Sequence, residues 1–131
     1  MYANPLNAYQ TTAKKAMSGR ELEAHALTSA AMKLKALQTT WDPENDGRYP
    51  ELASAVQHNQ RLWSIFQAEL STDENPLPAA IREQLLSISL FVDRQSFDLL
   101  AQPSLAKIKP LVDINLAIAA GLRGSAAAEA A

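Results

Sequence analysis

Asp42, Glu44, Asp46 and Gly47 fall at the first, third, fifth and sixth places of a would-be calcium loop. Such a loop closes on a bidentate Glu at its twelfth place. Here that place is Ala53, and Pro43 stands inside the run, so the stretch reads as a solvated turn. The two histidines, His25 and His58, stand apart, with no second His and no Cys at ligand spacing. The chain has no Cys, which removes disulfides, thiolate metal sites and Cys nucleophiles. No nucleophile elbow, paired-His helix or glycine-rich phosphate loop appears, and with only four Gly little backbone can cradle phosphates. The expectation is a protein that is not an enzyme and needs neither metal nor cofactor.

Residues fit for binding are more numerous. In "NQRLWSIFQAEL", Trp63 and Phe66 continue a helical repeat that also holds Asn59. Their simplest role is core, with an anchor in a partner groove as the alternative for Trp63. A buried indole N–H then needs an acceptor. Asn59 and Asn115 each take a stripe position where an apolar side chain would pack better. Left without a hydrogen bond, a buried Asn costs about 1–3 kcal/mol. The favoured role is a register lock, and contact with a bound peptide backbone is the other. Leu86, Leu90 and Phe97 lie nearly opposite the main apolar stripe of their helix. A helix apolar on two sides is either central in a bundle, the simpler expectation, or covered by an amphipathic helix from a partner. Arg82, Asp93 and Arg94 would then form a polar rim.

The elements that must position these side chains are helical. Among 131 residues, 47 % are apolar and 20 % charged, as in an ordinary soluble domain. The length fits a single domain with a real core. The net charge of −2, with basic residues scattered rather than clustered, argues against nucleic acid or an anionic membrane as partner. No apolar run is long enough to span a membrane, and the start of the chain lacks the basic and apolar regions of a secretory signal. A cytoplasmic setting is expected.

Apolar spacing predicts a first helix over residues 5–17, with Leu6, Tyr9, Ala13 and Ala16 on one side. Ser18 and Glu21 form a capping-box pattern that would start the next helix, running to about residue 39 with Leu27, Ala30, Leu34 and Leu37 inward. The run from residue 39 to 50 gathers Pro, Asn, Asp and Gly and reads as a loop. A helix over residues 51–70 follows, its seam of Leu52, Val56, Asn59, Trp63, Phe66 and Leu70 stepping by four and three. Pro78 opens a helix to about residue 101, striped by Ile81, Leu85, Ile88, Val92 and Leu99. Beyond Pro103, Ser104 caps a last helix with Leu111, Asn115, Ile118 and Leu122 inward. Pro110 would kink or restart it, and Gly121 or Gly124 would stop it. The expected architecture is an all-α bundle of four to five helices over residues 1–123, with a flexible alanine-rich tail at 124–131.

Several stretches in this order resemble the FlaF family, small flagellar biosynthesis regulators of alphaproteobacteria. They are "NAYQ" with Tyr9, "SGRELEA" from Ser18, "NQRLW" from Asn59, "NPLP" from Asn75, "SLFVDR" from Ser89 and "INLAIAAGL" from Ile114. The resemblance implies a role in flagellin synthesis and export, as a flagellin-binding chaperone working alongside FlbT-like regulators. It carries no catalytic residues. It also implies the client: flagellin termini are amphipathic helices that assemble as coiled coils.

Together these readings predict a cytoplasmic binding protein that covers a helical segment of flagellin through Leu86, Leu90, Arg94 and Phe97, with Trp63 as a further contact. Ser18, Glu21, Asn59 and Asn115 would be structural polar residues. The alternatives are a post-transcriptional regulator that binds flagellin mRNA or acts through an FlbT-like protein, and a bundle that dimerises through the Leu86–Leu90–Phe97 side.

Overall fold

A computed structural model describes residues 19–42, 44 and 46–130. The expected helix over residues 5–17 and the Ser18 cap lie outside the described residues. Four long helices account for nearly all of what is described: α1 (Gly19–Thr40), α2 (Tyr49–Leu70), α3 (Ala79–Ala101) and α4 (Leu105–Ala130). A single turn of 3-10 helix, Asp46–Arg48, leads into α2. No strand occurs among the described residues. The fold is an all-α single domain.

Helix α1 buries Ala24, Leu27, Ala30, Ala31, Leu34 and Leu37, a stripe at spacings of three and four. Half of it is alanine, so a neighbouring helix can lie close. Helix α4 does so, and the α1–α4 interface is the most extensive in the bundle. Helix α4 brings Ile108, Leu111, Val112 and Ala119 to the same core. Truncating a fully buried leucine of this core, such as Leu27 or Leu111, would cost about 2–5 kcal/mol.

Helices α2 and α3 form an antiparallel pair. The Tyr49 hydroxyl at the start of α2 donates to the carbonyl of Leu100 at the end of α3, 2.9 Å away. Near the other end, Gln67 Nε2 donates to Asp93 Oδ2, and Arg82 Nη1 donates to the Thr72 carbonyl. The connecting loop is tied by Asn75, whose Oδ1 accepts from the Leu77 N–H while its Nδ2 donates to the Glu69 carbonyl. Pro78 then occupies the N-cap of α3, where its missing N–H costs nothing.

The inward side of α3 differs from the expected stripe. Its buried residues are Ser89, Val92, Ser96 and Leu99, whereas Ile81 is 44 % exposed. Both serines satisfy their hydroxyls within the helix, Ser89 on the Leu86 carbonyl and Ser96 on the Val92 carbonyl. Their small size leaves room for a neighbouring helix to approach α3. Helix α3 packs on α2 and α4 but not on α1. Each of the four described helices packs on two others, so none is central, which corrects the simpler expectation that the two apolar sides of α3 mark a central helix.

Two expectations for the last helix are also corrected. Pro110 does not restart α4, which runs unbroken from Leu105. The lost N–H would have bonded the carbonyl of Ala106, an exposed residue whose carbonyl water can satisfy. Nor does α4 stop at Gly121 or Gly124. A glycine stop needs the left-handed conformation, and no described glycine has a positive φ.

Candidate functional site: an apolar outer helix face and an end groove

Because α3 buries its serine side, its other side faces outward. Leu90 is 57 % exposed and Phe97 66 %, with Phe91 and Arg94 also exposed. Leu90, Arg94 and Phe97 step by four and three, so they form one row along the helix. Leu86, expected in the same row, is half-buried. Of the expected rim charges only Arg94 belongs here. Asp93 is half-buried and turned to Gln67 of α2, while Arg82 reaches the loop at Thr72. An exposed row of this kind gives up its hydration on covering, at about 25 cal/mol per Å2.

Trp63 is not on this surface. It is 1 % exposed, packs edge-on against Phe66 at 5.7 Å between ring centroids, and donates its indole N–H to Asn115 Oδ1 at 2.9 Å. Asn115 is the hub of a buried polar cluster. Its Nδ2 donates both to Asn59 Oδ1 at 2.7 Å and to the Leu27 carbonyl at 3.2 Å. Asn59 and Asn115 are both fully buried, and their cluster joins α1, α2 and α4 at one level of the bundle. Asn59 Nδ2 has no hydrogen-bond partner among the described residues. Of the other polar residues singled out in the sequence, Glu21 is exposed in the first turn of α1, where the helix dipole favours it.

A second feature was not foreseen. At one end of the bundle, a groove of about 870 Å3 opens between the start of α1, the end of α2, the start of α3 and residues 117–122 of α4. Phe66, Leu70, Leu77, Ile81, Ile118 and Leu122 form its apolar walls. Gly19, Arg20, Glu23, Glu69 and Glu74 stand around it. Burial pushes the Glu23 carboxyl above its usual range, the negative charge of Glu69 pushes it further, and Arg20 partly opposes this. In the sequence the only hint was Leu77, an apolar residue held between Pro76 and Pro78.

The turn at Asp42 is local: Asp42 Oδ1 accepts the Glu44 N–H at 3.0 Å. Among the described residues, no three His, Asp or Glu side chains converge as a metal site requires. No helix among them is long and apolar enough to cross a membrane.

Fold and surface together define a small helical-bundle protein whose distinctive outer features are apolar. A family model for the flagellar protein FlaF matches residues 5–122, and the chain belongs to that family. No curated protein and no solved structure matches it.

Proposed function

We propose that this protein is a cytoplasmic flagellin-binding chaperone that covers an amphipathic helical segment of flagellin and so couples flagellin synthesis to export. The observation that carries the reading is the exposed row Leu90–Arg94–Phe97 on a helix whose opposite side is already buried. A flagellar family supplies the context, and a helical apolar stripe is what such a row fits. The mechanism is burial alone: client leucines and valines leave water against Leu90 and Phe97, and no bond is made or broken. Because the client orders as it binds, affinity per unit of interface stays modest, which permits hand-over to an export apparatus.

A protein client also fits the charges better than an RNA does. Lys107 and Lys109 are paired with Asp98 and Asp113, and Arg48 with Glu51, so these cations are partly neutralised. Phosphate binding needs clustered free cations and falls steeply with salt. The reading is tested by capture of full-length flagellin and of flagellin lacking either terminal segment. Loss of capture with one truncation identifies the client helix. Undiminished capture of both truncated forms overturns the reading.

A further inference from the structure

The outward side of α3 is a row at three–four spacing: Ala79, Glu83, Leu86, Leu90, Arg94 and Phe97. Leu86 is half-buried and the other five are exposed. The row is also self-complementary. Glu83 and Arg94 lie at equal distances, about 8 Å, on either side of the point between Ile88 and Ser89. A second α3 laid antiparallel about that point brings each Glu83 opposite an Arg94. At about 100° per residue, Glu83 and Arg94 turn to one edge of the row, while Ala79, Leu86 and Phe97 turn to the other, with Leu90 between. A two-fold of this kind sets each edge against the same edge of the second copy. Opposite charges then meet along one edge and apolar side chains along the other. We infer that this side of α3 pairs antiparallel with α3 of a second copy of the chain, through two reciprocal Glu83–Arg94 ion pairs beside an apolar seam.

Charge and size agree on this occupant. Neither Glu83 nor Arg94 has an ion-pair partner among the described residues. The other charges of α3 are engaged elsewhere: Arg82 donates to the Thr72 carbonyl, Asp93 accepts from Gln67, and Asp98 lies 3.4 Å from the Lys107 ammonium. The row therefore offers one anion and one cation, placed to satisfy each other across the two-fold. In the same register Phe97 lies over the partner's Ala79, whose small side chain leaves room for the ring. The two Leu90 side chains interleave at the centre, offset by about 4–5 Å along the axis. One helix from each copy makes a small interface, so the pairing is reversible. It covers Leu90 and Phe97, the side chains given above to the client. A second copy thus shields the row until a client replaces it; the shielding, though not the pairing, rests on that reading.

Sedimentation velocity of the full chain, without flagellin, tests the pairing over a series from micromolar to millimolar concentration. The parent should pass from monomer to dimer. Glu83→Arg alone, or Arg94→Glu alone, sets like charges face to face at two places and should weaken association on the order of tenfold. Both residues are exposed, so each variant should keep the parental helicity. Combining the two substitutions restores opposite charges in the same register and should return association close to the parental level. A parent that stays monomeric throughout overturns the inference. So does a dimer that ignores the single reversals, or one that the combined variant fails to recover. Flagellin is absent from the measurement, so these outcomes are separate from flagellin capture, which tests the client reading by itself.

Discussion

Asn115 accepts the indole N–H of Trp63 at 2.9 Å, across 52 positions of sequence and inside a core where neither side chain meets water. The same amide then donates to Asn59 and to the Leu27 carbonyl, so one side chain satisfies groups on two other helices. A polar residue here is expensive to bury but is fully used, and its geometry fixes how α1, α2 and α4 align.

The two asparagines should therefore respond differently to replacement. Asn115→Leu strands the Trp63 N–H and the Asn59 carbonyl oxygen, each at about 1–3 kcal/mol. Asn59→Leu removes an amide nitrogen that has no partner and leaves Asn115 still bonded to Leu27 and Trp63. Denaturant melts should show Asn115→Leu as the more destabilising by at least about 1 kcal/mol. The opposite order would contradict the hub role.

Ser96 tests how α3 comes close to its neighbours. If size matters more than the hydroxyl, Ser96→Ala should cost less than about 1 kcal/mol, since its bond to the Val92 carbonyl is local. Ser96→Leu should cost about 1–3 kcal/mol by overpacking. Equal melting of the two variants would show that close approach at Ser96 is unimportant.

These two cases also show where the sequence was legible. The four described helices and the inward stripes of α1, α2 and α4 follow from spacing, because Leu27, Leu34, Leu52, Val56, Trp63 and Leu111 each fall on a three–four repeat and are all buried. Asn59 and Asn115 were recognisable as buried polar residues because each interrupts such a repeat. That they meet each other was not, since contact between α2 and α4 is a property of packing. Ser89 and Ser96 escaped notice because a hydroxyl can be satisfied by its own helix, so polarity is a poor guide to burial for serine. Apart from Leu77 between its two prolines, the groove had no local signature. Its walls come from four separate elements, and only their arrangement leaves space between them.

His58 gives a pH dependence. Burial holds its protonation below the ordinary value of 6.5, with Lys33 and then Arg61 adding to the effect. The folded state thus binds fewer protons at this site than the unfolded state. The neutral form's contribution is fully present above the unfolded value and is lost as pH falls through the depressed folded value. His58→Gln should flatten the fall in denaturant midpoint below pH 6.5. A midpoint that falls as steeply in the variant would show that His58 is not a source of the acid sensitivity.

The central claim is that the outer face of α3 holds flagellin, and the most direct measurement is flagellin affinity of the Leu90→Asp and Phe97→Asp variants beside the parent protein. Both positions are more than half exposed, so helicity and melting temperature should stay close to the parent. Affinity should fall on the order of tenfold or more for each, as for central apolar anchors. Parental affinity in two folded variants would contradict the account.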